Sequence, residues 1–152
     1  MNVVYPPSKV TLTRNSIFLA GTIDMGISDD WQSEVIESLS QHPITFLNPR
    51  RKEWDNSWEQ KIENPQFREQ VEWELNSMDM ADLILVYFAP GSKSPISMME
   101  LGLYADTGKV VVCCPEGFWR KGNIDIVCHR KGIKQIPALD EFSEFALNFL
   151  GI

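Results

Sequence analysis

The chain has 152 residues, 43% apolar and 23% charged, with a formal net charge of -7. That length suits one domain with a real core, and the composition excludes disordered and fibrous chains. The acidic balance, without a long basic run, argues against long nucleic acid or an anionic membrane surface as partner.

Residues 1–14 carry Pro6 and Pro7 among short apolar pieces and read as an N-terminal arm to a single domain over 1–152. The run Ser16-Ile17-Phe18-Leu19-Ala20, ended by Gly21, is the first natural strand. A loop over 21–27 follows, and Ser28 suits an N-cap for a helix over about 29–41. Asp29 and Asp30 complement the dipole of its first turn; Trp31, Val35, Ile36 and Leu39 make its apolar stripe. Pro43 ends that helix, and Ile44-Thr45-Phe46-Leu47 reads as strand two. Asn48-Pro49-Arg50-Arg51 then opens a long polar loop that carries Trp54 and Trp58 and ends near Pro65.

Residues 66–80 are helical by composition and period, with Phe67, Val71, Leu75 and Met78 inward. Glu72, Trp73 and Glu74 are consecutive and cannot share one face. The stretch 81–100, ADLILVYFAPGSKSPISMME, organises the rest: a buried parallel strand over 83–88, a loop of Gly, Ser and Pro, then a helix from Ser97 to about 107. Gly108 and Lys109 turn into a fourth strand over 110–114, near-continuous in β-branched residues. Residues 115–130 stay open, since Phe118-Trp119-Arg120 can start a helix that Gly122 interrupts. A short edge strand over 133–136 stops at Pro137. A terminal helix over 140–150 packs through Phe142, Phe145, Ala146, Phe149 and Leu150.

Such alternation predicts a three-layer α/β sandwich with a four- or five-stranded parallel sheet, ordered 2-1-3-4-5. That order sets strands one and three side by side, their following loops leaving toward opposite layers. The crevice between would be lined by residues 21–24 and 91–100.

Glu100 is the first candidate for chemistry, because an ionised carboxylate in a crevice can attack an electrophilic sugar carbon. The plainer reading is a capping box, Ser97 at the N-cap with Glu100 three residues on. Glu74 is its candidate partner, since glycosidic chemistry uses paired carboxylates; the plainer reading is a solvated helix glutamate, paired with Arg68 or with nothing. Asp79 and Asp82 suit a turn better than catalysis. Gly21 reads as a close-approach glycine, Thr22 offers a hydroxyl beside it, and Asp24 either faces the crevice or serves its loop.

Asn48, Arg50 and Arg51 end strand two, where an arginine can clamp a ligand or order the acidic loop around Glu53 and Asp55. Of Trp31, Trp54, Trp58 and Trp73, some could stack a base, but at least two should be core. Ser92, Ser94 and Ser97 could bind hydroxyls or phosphate. Dinucleotide and phosphate-loop glycine motifs are absent from the sequence. His42 and His129 lack metal-ligand spacing, so neither a metal nor a cofactor is expected. Cys113, Cys114 and Cys128 form no spaced framework and read as reduced thiols of a cytoplasmic protein. No run approaches the length of a membrane span.

The series I-F-L-A-G-T at 17–22, N-P-R-R at 48–51, Q-V-E-W-E at 70–74, A-D-L-I-L-V-Y-F at 81–88, M-E-L-G at 99–102 and G-K-V-V at 108–111 resembles the nucleoside 2-deoxyribosyltransferase family, in its small bacterial and phage-type branch. The resemblance covers about residues 16–115. It implies a flavodoxin-like sandwich that cleaves the N-glycosidic bond of 2'-deoxynucleosides through a covalent glutamyl-deoxyribosyl intermediate, the sugar passing to another base or to water. A related branch hydrolyses deoxynucleoside 5'-monophosphates.

By this resemblance Glu100 matches the nucleophile, and Glu74 stands where the family has an aspartate. Gly21 and Thr22 match the first loop. Asp24 replaces an arginine of the monophosphate branch, while Ser94 matches a serine of that branch, so the chain fits neither subgroup cleanly. The implied partners are a small deoxynucleoside and a nucleobase, and a homo-oligomer is suggested. The rival expectations are a monophosphate N-glycosidase, an inactive nucleoside or nucleotide sensor, and a phosphohydrolase or NAD-cleaving enzyme on a similar sandwich.

Overall fold

A computed structural model describes residues 1–11, 14–23 and 29–152. Among the described residues six strands form one parallel sheet: β1 (Asn2–Val4), β2 (Ser16–Gly21), β3 (Thr45–Leu47), β4 (Leu83–Tyr87), β5 (Val110–Cys113) and β6 (Lys134–Ile136). Their order is β1-β3-β2-β4-β5-β6. The expected four or five strands in the order 2-1-3-4-5 are therefore corrected to six. The added strand comes from the arm, where Asn2, Val3 and Val4 pair with Thr45, Phe46 and Leu47. Three residues ahead of a proline pair carry too little period to announce a strand, and β3 supplies the template.

Five α-helices among the described residues cover the two faces: α1 (Trp31–Ser38), α2 (Pro65–Met80), α3 (Pro95–Tyr104), α4 (Lys121–Lys131) and α5 (Phe142–Leu150). Strand side chains alternate between the faces, as a pleat requires. Phe18, Ala20, Ile84, Val86, Val110 and Val112 pack with Trp73 and Met78 of α2, Leu101 and Tyr104 of α3, and Ile124 and Cys128 of α4. Ile17, Leu19, Leu83, Leu85, Val111 and Cys113 pack with Trp31, Val35 and Ile36 of α1 and with Phe142 and Ala146 of α5. Each large side chain buried this fully contributes about 1.5–3 kcal/mol, which fixes both helical layers to the sheet.

Helix ends differ from the sequence reading in informative ways. α1 begins at Trp31, two residues late, because the Asp30 side chain accepts from Ser33 N and is the N-cap. Ser28, the expected cap, lies outside the described residues. α3 begins at Pro95, whose fixed φ suits a first helical position, with Ser94 as its N-cap at φ 46°. Ser97 is thus inside the helix and the capping box with Glu100 does not form. α4 resolves the open segment, accommodating Gly122 in its first turn and ending at Gly132 in the left-handed region. α5 starts at Phe142 after a 3-10 turn over Leu139–Glu141.

Candidate functional site

β2 and β4 are neighbours in register from Ile17–Leu83 to Gly21–Tyr87. The helix that follows β2 lies on one face and the helix that follows β4 on the other, so the chain parts between their carboxyl ends. Gly21 is obligatory there: its φ is +141°, and a Cβ would stand 2.3 Å from the Tyr87 carbonyl oxygen. The close approach is therefore to the backbone of β4. Thr22 continues the contact, its N–H donating to Tyr87 O at 2.9 Å.

Three buried hydroxyls knit this parting together. Thr22 Oγ1 lies 2.6 Å from Ser94 Oγ and 3.0 Å from Ser92 Oγ, and the two serines lie 2.9 Å apart. Ala89 N donates to Thr22 Oγ1 at 3.0 Å, and Ser92 Oγ donates to Ala89 O at 2.8 Å. The Trp31 indole donates to Thr22 O at 2.8 Å and meets Tyr87 edge-on. The loop after β2, the loop after β4 and the start of α1 are thereby one hydrogen-bonded unit.

Two carboxylates come from the inner stripes of neighbouring helices. On α3 the buried residues Ser97, Glu100, Leu101 and Tyr104 share one face by helical spacing, so Glu100 is 8% exposed within an otherwise inward stripe. On α2, Gln70, Trp73 and Ser77 are buried, with half-buried Glu74 on the same side. Of the expected inward set, Met78 is fully buried and Leu75 packs against the core, while Trp73 rather than Val71 turns fully in, donating its indole N–H to Ser8 O. Nor does Glu74 pair with Arg68, which bonds Glu72 at 2.9 Å on the exposed face.

Burial raises both carboxyls well above the ordinary range. Glu100 is pushed up to about 8, first by desolvation and then by the charge of Glu74. Glu74 is pushed up to about 7 by desolvation, against a lowering hydrogen bond from Gln70. Gln70 Nε2 lies 2.6 Å from Glu74 Oε1 and also donates to Pro49 O at 3.1 Å. The two acids therefore sense each other across the α2–α3 seam. Ties at the far end of the seam hold the register: the Tyr104 hydroxyl donates to Asp79 Oδ1 at 2.7 Å, and Lys109 Nζ donates to Met78 O, Asp79 O and Ala81 O. A cation on the last carbonyls of α2 complements its dipole.

At the end of β3, Asn48 is buried and its side-chain oxygen accepts from Arg50 N at 3.0 Å. Arg50 reaches α1, donating to Asp29 O and Gln32 Oε1 and lying 4.0 Å from Asp30. Asp24 lies outside the described residues. Trp31 and Trp73 are core, while Trp54 and Trp58 meet edge-on in the loop, with Arg51 over Trp58. Asp82 clasps β2, accepting from Ser16 N and Oγ at 2.8 Å each. All three thiols are buried and free. Open depressions of about 500 and 440 Å³ lie on outer α2 and beside Met1 and Pro43, and neither includes Glu74 or Glu100.

Of the sequence candidates, Glu74 joins Glu100, Thr22 joins Ser94, and Asn48 joins Arg50; Ser97 sits buried one turn before Glu100. Gln70 was missed. Its signal was available, four residues before Glu74 on one helix face.

The fold is an α/β sandwich whose sheet parts between two strands, and a desolvated pair of acids beside that parting is an arrangement that can do acid–base or nucleophilic work. The model of the family described as "Nucleoside 2-deoxyribosyltransferase like" matches residues 14–118, more than half the chain. The chain belongs to that family and is a nucleoside 2-deoxyribosyltransferase-type enzyme. No curated protein matches it in sequence. Among solved structures it is similar to a conserved protein from Enterococcus faecalis V583, with a TM-score of 0.64 and 11% identity over 90% of this chain and 99% of that one. At that identity the likeness concerns the fold. No described helix is long and apolar enough to cross a membrane.

Proposed function

We propose that this enzyme breaks the N-glycosidic bond of 2'-deoxynucleosides through a covalent ester at Glu100, with Glu74 moving the proton. A Glu100 oxygen attacks C1' as the bond to the base breaks, and that bond's electron pair leaves with the base. Glu74, in its acid form, gives the departing base a proton. In the second half, a new base or water attacks C1', the ester electron pair returns to Glu100, and the attacking group's proton goes to Glu74. A sugar without a 2'-hydroxyl develops positive charge at C1' more easily, which favours deoxy substrates.

The observation that carries this reading is the pair itself: two desolvated carboxyls on adjacent helices, raised to about 7 and about 8, one partly by the other's charge. Between those values the pair holds roughly one proton, which by their order rests on Glu100; the first half-reaction starts once that proton has passed to Glu74. Gly21, Thr22, Asn48, Arg50, Ser94 and Ser97 are proposed to shape the sugar and base subsites around it, as is Asp24. The test is incubation with 2'-deoxynucleosides, with and without an acceptor base. Free base or exchanged nucleoside is expected, and Glu100→Gln (E100Q) should lower turnover by at least about 10³-fold. Cleavage that persists in E100Q rejects the assignment.

A further inference from the structure

We propose that Gln70 is a positioning residue for Glu74, a donor that cannot be turned round and so fixes which carboxylate oxygen remains for substrate. This rests on the proposed function for its catalytic consequence, but its geometry stands apart from it. Gln70 is 4% exposed, one helical turn before Glu74. Its Nε2 bonds Glu74 Oε1 at 2.6 Å and Pro49 O at 3.1 Å. A backbone carbonyl only accepts, so rotating the amide would set oxygen against oxygen at Pro49. Both amide hydrogens are therefore committed, and Gln70 Oε1 is left buried without a partner among the described residues. A buried acceptor left unmade is costly, and its retention is the expense of holding the donor in this orientation.

Two consequences follow. The loop after β3 and the middle of α2 are tied to each other through Gln70, which bonds Pro49 O and Glu74 Oε1 at once. Glu74 Oε1 is occupied and Oε2 is the oxygen free to take or give a proton. Glu100 on α3 is the charge coupled to Glu74; of the arginines at and before α2, Arg68 bonds Glu72 and Arg51 lies 3.5 Å from Glu69.

Gln70→Met (Q70M) keeps the shape and removes the donor. Carboxyl-carbon NMR of the full chain should show the Glu74 titration rising by about 1–2 pH units, the worth of a hydrogen bond to a charged group. The kcat/KM for deoxynucleoside cleavage should fall roughly 10- to 100-fold alone, yet hardly at all in a Glu74→Gln background, since both changes act through one carboxylate. An unmoved Glu74 titration, or the same loss with and without Glu74, overturns the assignment. A moved titration in a protein whose E74Q and E100Q variants keep full turnover would instead retain the positioning and reject the proposed chemistry. Should Q70M fail to fold, Gln70→Leu also removes the donor without adding a charge, and the Glu74 titration must likewise rise.

Discussion

Replacing Glu100 by glutamine should make the protein more stable in alkali while removing its turnover. The carboxyl is 8% exposed and its folded pKa is raised to about 8 from an ordinary 4.5. The folded state therefore holds the proton more tightly than the unfolded chain, and this contribution is fully present below about pH 4.5. It is lost as pH rises through about 8. For these two values the Glu100 contribution falls by about 4 kcal/mol between pH 5 and pH 9. Water entry and relaxation around the ionised group reduce the observable part to roughly 2–4 kcal/mol. Glutamine has nearly the same shape and never ionises, so E100Q escapes that loss. Urea unfolding at pH 5 and pH 9 measures it. The stability of E100Q relative to the parent chain should rise by at least about 2 kcal/mol between the two conditions. A difference that stays flat, or that favours the parent at pH 9, would refute the claim that this carboxylate is desolvated.

The other predictions concern the framework. Gly21→Ala should cost roughly 3 kcal/mol or more, because its Cβ would stand 2.3 Å from Tyr87 O at a φ of +141°, and the urea midpoint reads this directly. Thr22→Val keeps the shape but strips Ala89 N and two buried serines of their shared partner, so a loss of about 1–3 kcal/mol is expected by thermal or urea unfolding. Lys109→Met removes the cation from three carbonyls at the end of α2; a loss of roughly 1–2 kcal/mol, with faster amide exchange near Ala81, is the expected result. Smaller effects in either polar variant would mean that water replaces the lost bond.

Much of this arrangement could be read from residue types, and what could not has physical causes. Runs such as Ile17 to Ala20 and Leu83 to Tyr87 are apolar on both sides because both faces of the sheet are covered, and a sequence displays that directly. Glu100 was identifiable through its motif, but its burial was not: helical spacing puts Ser97, Glu100, Leu101 and Tyr104 on one face, and only the packing of α3 shows that this face, with its polar residues, turns inward. The serine at 97 looked like a cap; the proline two residues earlier took the first helical position and moved the start. β1 stayed hidden because a three-residue edge strand gains its hydrogen bonds from a neighbour more than forty residues away in sequence. The role of Gln70 needed coordinates for a similar reason. Its bond to Glu74 is local, whereas its bond to Pro49 crosses from another element, and only the two together fix the amide.

The most direct measurement is acid-quenched mass spectrometry of the protein mixed with a 2'-deoxynucleoside. One deoxyribosyl group added to the peptide that contains Glu100, absent from E100Q, is the expected result. Base release with no such adduct at any mixing time, or an adduct on a different side chain, would contradict it.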